Sequence, residues 1–188
     1  MKRLVCFRIL WIMSAVWFVT AIPSAAQTLT TLASFDVTNG DDPYSTLIQG
    51  VDGNFYGTTE LGGANNSSPC FHAGCGTIFR VTPSGALVTV HNFDGSDGFD
   101  PHSGLLLATN GSFYGTTTAG GAGGGGTVFR ITQAGMLTTL HSFNGSDGSD
   151  PLQPLIQAND GNLYGTTFNG GPSDNCNYTG SPGCGTVF

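Results

Sequence analysis

The sequence predicts an all-β protein: a β-propeller-type array of four-stranded antiparallel blades, about three repeats long, forming an incomplete propeller. Three observations predict it. Of 188 residues, 30 are glycine and only 9% are charged, whereas an ordinary soluble domain carries about 7% Gly and about 25% charged residues. Helical bundles, coiled coils and charged disordered tails need many more Glu, Lys and Arg and far less Gly. The chain also repeats itself in register, and each repeat holds four strand-like runs joined by tight turns.

The repeat is visible in three sets of columns. The first reads FDVTNGDDP at 35–43, FDGSDGFDP at 93–101 and FNGSDGSDP at 143–151. The second reads DGNFYGTT at 52–59, NGSFYGTT at 110–117 and DGNLYGTT at 160–167. The third reads GTIFRVTPSG at 76–85, GTVFRITQAG at 126–135 and GTVF at 185–188. Tyr56, Tyr114 and Tyr164 stand 58 and then 50 residues apart, which sets the period.

Within each unit the strands follow in order. A short apolar run (46–49, 104–107, 155–157) leads into an Asp-Gly or Asn-Gly pair, expected to form a two-residue type I′ turn with both residues at positive φ. The FYGTT stretch is the second strand. TIFRVT and TVFRIT form the third, because β-branched and aromatic residues alternate there with Arg and Thr. A turn ending in Gly85 or Gly135 leads to the fourth strand, at 87–93 and 137–143, with a lone copy at 29–35. Four antiparallel strands about every 50 residues is the arithmetic of a propeller blade; solenoid coils are shorter, and sandwiches do not repeat so faithfully. Because propellers normally have four to eight blades, three repeats ending inside a third strand read as a fragment.

Residues 1–26 read as a cleaved signal peptide and 27–188 as the repeat region. Lys2, Arg3 and Arg8 precede the apolar run 9–22, and Ser24-Ala25-Ala26 supplies the small residues of a cleavage site. The apolar run falls short of the roughly 20 residues that span a bilayer. After cleavage Arg80 and Arg130 face 12 acids, a net charge of −10. Nucleic acid and, after cleavage, membrane are therefore excluded as expected partners, since phosphate surfaces are bound through clustered Lys and Arg. Secretion or display on the cell surface is expected. The partner is left open, with carbohydrate or protein as the options.

GTVFRIT, LTTLHSFNGSDG, P-x-x-x-LIQA-x-DGN-x-YGTT and a Gly-Gly turn together resemble the GloVer tandem-repeat family of exported bacterial proteins, over nearly all of residues 28–188. The resemblance implies a secreted or surface repeat protein, often with a separate C-terminal sorting anchor, which this chain does not display. It carries location more than activity.

Antiparallel strands put alternate loops at opposite ends. The loops between strands two and three share one end with the Asp-rich loops between blades, and all length variation falls there: 62–75, 120–125 and 170–184. Function concentrates on variable loops held by a rigid scaffold, so this end is the candidate binding face. Each long insert holds one cysteine pair, so Cys70 is expected to bond Cys75, and Cys176 to bond Cys184, as local staples in an oxidising compartment. His72 lies between the first two, but the second insert has no counterpart, which argues against metal.

Asp94, Asp97 and Asp100 recur as Asn144, Asp147 and Asp150, and this density of oxygens could ligate Ca²⁺. The favoured reading is structural: Asx-turns that set the chain for Pro101 and Pro151, with no cofactor required. His91 and His141 share a column and are read as structural, while Arg80 and Arg130 are expected to pair with carboxylates. No catalytic residue is assigned, because paired Asp residues recur from repeat to repeat, which suits architecture; Glu60, the only Glu, is an acid that breaks the pattern. The leading expectation is a non-enzymatic binding or structural module. The alternative is a secreted polysaccharide-acting enzyme with its site on the variable-loop face.

Overall fold

The computed structural model describes residues 28–65, 70, 74–173, 176 and 183–188. The expected signal peptide (1–26) and His72 lie outside the described residues. Every strand among the described residues lies within Thr31–Phe188.

The first repeat forms one sheet from β1 (Ile48–Gln49), β2 (Phe55–Thr59), β3 (Thr77–Val81) and β4 (Leu87–Asn92), each antiparallel to the next. The second repeats it with β5 (Leu106–Leu107), β6 (Phe113–Thr117), β7 (Thr127–Ile131) and β8 (Leu137–Ser142). The third begins with β9 (Ile156–Gln157) and β10 (Leu163–Tyr164). Beyond β10, Thr166 bridges Val187, and Gly165 and Phe188 exchange both backbone bonds at 3.0 Å, so the last residues run as a third strand. The array is of the β-propeller type: like four-stranded sheets succeed one another and pack face to face.

Three details differ from the sequence expectation. The turns after strand one are three-residue loops rather than type I′ pairs. The Gly53 amide donates to the Gly50 carbonyl at 3.0 Å, and of Asp52 and Gly53 only the glycine has positive φ, at 80°. Asp52 stays in ordinary φ space because its carboxylate accepts the Asn54 amide (3.2 Å), and a loop of this length needs the left-handed region only at its last residue. Strand one is also shorter than expected. At its start the Thr58 amide donates to the Ser45 hydroxyl (3.2 Å) instead of a backbone carbonyl, so a side chain replaces the ladder.

The third difference is at residues 31–35, which form no strand, because no strand among the described residues lies alongside to pair with them. They still occupy a fourth-strand place. Phe35 packs edge-on against Phe79 at 4.8 Å, as Phe93 packs against Phe129 at 5.3 Å.

The core lies between blades. Tyr56 of β2 meets Phe113 of β6 at 4.4 Å, in a cluster with Ile78, Phe93, Leu105, Phe129 and Ile131. A second cluster joins Tyr114, Val128, Phe143 and Leu155. Burial of each such side chain stabilises by about 1.5–3 kcal/mol. The Phe129 ring needs the glycine opposite it on β6: a Cβ at Gly115 would stand 2.6 Å from Phe129 Cζ. Hydroxyls fix the blades in register, with Thr58 Oγ1 donating to the Ser103 carbonyl (3.0 Å) and Thr116 Oγ1 to the Pro151 carbonyl (3.1 Å).

Candidate functional site

The blade-joining loops are built by their own side chains. In the loop after β4, Asp94 Oδ1 accepts from the Ser96 amide (2.9 Å), the Ser96 hydroxyl (2.7 Å) and the Asp97 amide (3.3 Å), and these bonds hold its carboxyl below the usual range, the Ser96 hydroxyl most of all. Asp97 Oδ1 accepts the Asp94 amide at 3.0 Å, and its Oδ2 meets His91 Nε2 at 2.7 Å. The next loop repeats this with Asn144, Ser146, Asp147 and His141, the last pair at 2.8 Å. The Asn144 amide is the main cause holding the Asp147 carboxyl low.

Sequence reasoning did not foresee the device that points both imidazoles at these loops. The β3–β4 register slips between Ile78 and Phe79, so that Val90 is passed over; Leu140 is passed over in β8. A bulge of this kind re-aims the side chain beside it. No residue in LVTVHN or LTTLHS marks the slip.

Asp100 and Asp150 stand apart from these bond networks. Both take positive φ, 54° and 55°, where Asp is among the few tolerated residues other than Gly. Asp150 accepts from the Asn169 side-chain amide. Asp100 faces the two groups that break the repeat: burial first, then the Glu60 charge, raise its pKa to about 6, with His102 acting in the opposite direction.

Glu60 follows β2, and His102 follows Pro101 at the entry to the second blade. Their side chains approach to 3.8 Å between Oε2 and Nε2. Tyr44, at the entry to the first blade, stacks on His102 at 5.4 Å with the planes 21° apart. In the other repeats the Glu60 column holds Thr118 and Phe168, and the column of Tyr44 and His102 holds Leu152. The structure thus gathers one aromatic ring, one imidazole and two carboxyls at the variable-loop end between blades one and two. Glu60 was legible as the pattern-breaking acid; Tyr44 and His102 were readable as column differences but were missed. Among the described residues no group of three or more His, Cys, Asp or Glu side chains is placed to hold a metal ion.

The two inserts carry the bonds Cys70–Cys75 and Cys176–Cys184, with Cα atoms 4.8 and 5.1 Å apart. The first is more than a loop staple. Both its cysteines are buried in the core between blades one and two, and the Cys75 carbonyl accepts the Asp100 amide at 3.2 Å. Two disulfides fit an oxidising compartment. Neither arginine makes its expected carboxylate pair among the described residues: Arg130 Nε donates to the Ser112 hydroxyl at 3.0 Å, and Arg80 Nε is buried without a partner. Arg80 lies across from Tyr56 in the β2–β3 register, and the nearby Asp52 carboxylate is taken by the Tyr56 hydroxyl (2.9 Å) and the Asn54 side-chain amide (2.7 Å).

The three-fold recurrence of sheets, loops and buried aromatics agrees with the match of the Gloeobacter/Verrucomicrobia repeat to residues 18–188. The chain belongs to the Gloeobacter/Verrucomicrobia repeat family. No curated protein matches this family member. Among solved structures, selenomethionine-substituted virginiamycin B lyase from Staphylococcus aureus aligns at 18% identity over 78% of this chain and 40% of its own, with a TM-score of 0.46. A proposed 6-phosphogluconolactonase from Bacteroides fragilis aligns at 18% identity over 58% and 29%, with a TM-score of 0.36. This member of the repeat family therefore spans 40% or less of the length of either protein. Neither activity carries over at that similarity.

Proposed function

We propose that this protein is an exported repeat protein, released or held at the cell surface after loss of residues 1–26, whose variable-loop end binds carbohydrate without chemical turnover. The convergence of Tyr44, Glu60, Asp100 and His102 carries the reading. Three of these side chains stand in columns that the other repeats fill differently, and they meet at the end where all insertions fall. An exposed tyrosine ring offers an apolar face to a sugar ring, and carboxylates accept bonds from its hydroxyls. The Asp-rich loops, whose oxygens already accept protein N–H and O–H groups, build turns in this reading and require no Ca²⁺.

Glycan-array binding by the exported chain tests the proposal. Retained glycans whose signal is lost in Tyr44→Ala and Glu60→Gln support it, and no retention on any glycan overturns it.

A second reading rests on Asp100. A carboxyl pushed up to about 6 beside a second carboxyl is an arrangement that general acid–base hydrolysis uses. Release of reducing sugar from a polysaccharide, abolished in Glu60→Gln while binding persists, would favour this enzyme over the binding module.

A further inference from the structure

We propose that the sugar held at the seam between the first two blades carries a free amine, and that Glu60 and Asp100 together bind its ammonium group beside the stacked rings of Tyr44 and His102. The inference rests on the carbohydrate-binding reading above and narrows it to amino sugars that are not N-acetylated.

The supply of charge points there first. Past the expected signal peptide the cations of the chain are Arg80 and Arg130, against 12 acids. Both arginines lie in the strands, opposite Tyr56 and Tyr114, and Arg130 Nε is already given to the Ser112 hydroxyl. Among the described residues neither forms an ion pair with Glu60 or Asp100. His102 Nε2 stands 3.8 Å from Glu60 Oε2, longer than a hydrogen bond. Two carboxyls thus share this seam with no donor among the described residues committed to the oxygens of either.

The next entry shows how the same fold satisfies such a group. There Asp150, in the column of Asp100, accepts the Asn169 side-chain amide. In the second blade Ala119 stands in the Asn169 column and offers no side-chain donor, while Glu60 stands in the column that Thr118 fills with a neutral hydroxyl. One donor is missing and one acid is added at the same place. Burial and the Glu60 charge then both disfavour the ionised Asp100 carboxyl. In the free protein that arrangement costs stability. A ligand offsets the cost if it brings hydrogen-bond donors and positive charge together, and an ammonium group is all donor and no acceptor. A hydroxyl or an acetamide brings a donor without the charge, and a sugar acid would add a further negative group.

The rings favour a sugar over a bare ion. Tyr44 and His102 stack at 5.4 Å with their planes 21° apart, and the side chains of His102 and Glu60, 42% and 27% exposed, leave the place open to solvent. An aromatic face receives the apolar face of a sugar ring and also attracts a cation. Among the described residues no group of three or more His, Cys, Asp or Glu side chains is placed to hold a metal ion.

Calorimetric titration of the exported chain with glucosamine oligomers, and with N-acetylglucosamine oligomers of the same length, decides the question at about 150 mM salt, where diffuse attraction to an acidic protein is screened. The free-amine oligomer is expected to bind at least tenfold more tightly. Glu60→Gln and Asp100→Asn, each checked by far-UV circular dichroism, are each expected to weaken it by about tenfold, the scale of one lost charged hydrogen bond. Asp160→Asn removes the same unit of charge from the turn between β9 and β10 and is expected to change nothing. Equal or tighter binding of the acetylated oligomer overturns the inference and leaves the carbohydrate reading standing, as does binding of neither oligomer by a protein that retains other glycans on the array. An equal loss in Asp160→Asn overturns it too, because the attraction is then diffuse. Retention of no glycan at all removes both the reading and the inference.

Discussion

The side-chain oxygens of Thr117 and Thr127 stand 2.9 Å apart, buried where β6 ends and β7 begins in the second blade. Thr117 Oγ1 accepts the Thr127 amide at 3.0 Å, and Thr127 Oγ1 donates to the Asp97 carbonyl at 3.0 Å in the loop that arrives from the first blade. The pair recurs as Thr59 with Thr77 at 2.8 Å, and as Thr167 with Thr186 at 2.9 Å. Each pair ties a blade to the Asx-turn before it. Gly98 belongs to the same device, because a Cβ there would collide with the Thr117 hydroxyl.

Thr117→Val keeps the shape and strands the buried Thr127 amide. An unsatisfied buried donor costs about 1–3 kcal/mol, and denaturant unfolding is expected to record a loss of that size. Thr127→Val should cost less, since the group it abandons is a carbonyl near the surface loop. The double variant is expected to lose less than the sum, because both changes break one network.

Asp100 gives stability a pH dependence of definite sign. Its folded pKa, about 6, lies above that of an unfolded Asp, so between pH 4 and 6 the folded chain holds a proton that the unfolded chain has released. Stability contributed by this group is therefore greatest near pH 4 and falls as pH rises through 6. Asp100→Asn, which keeps a residue tolerant of positive φ, should remove this slope and melt higher than wild type at pH 7. Parallel thermal melts from pH 4 to 7 check it; a slope unchanged in the variant would refute the assignment.

The two disulfides are expected to differ in worth. Cys70 and Cys75 lie in the core between blades and Cys75 receives Asp100, whereas Cys184 is exposed. Replacing Cys70 and Cys75 together by Ser should lower the melting temperature more than replacing Cys176 and Cys184. Intact mass with and without reductant would show both bonds, and the mature start near Gln27, in the exported protein.

Gly115→Ala tests the packing of a ring against a strand. The added methyl would press on Phe129 at 2.6 Å in a filled core, and overpacking of this kind costs about 1–3 kcal/mol. Phe129→Leu in the same chain is expected to relieve part of the clash, read as a smaller loss than the two single effects combined.

The sequence by itself determined the repeat, the identity of the full-length strands, the glycine-ended turns and the grouping of cysteines in the inserts. All of these depend on residues close in the chain: the alternation of TVFRI with its Arg and Thr, the φ freedom of Gly85 and Gly135, the short span from Cys70 to Cys75. Tertiary structure decided the rest. The bulges at Val90 and Leu140 depend on how β4 and β8 register against β3 and β7, which no single strand encodes. Residues 31–35 carry a strand pattern and form none, because a ladder needs a neighbour. Glu60 meets His102 only because the second blade's entry packs over the end of β2, and Tyr44 reaches His102 from the first blade's own entry. Contacts across so many residues are fixed by the burial of Tyr56 against Phe113 between the sheets, a property of the packed blades and of no local segment.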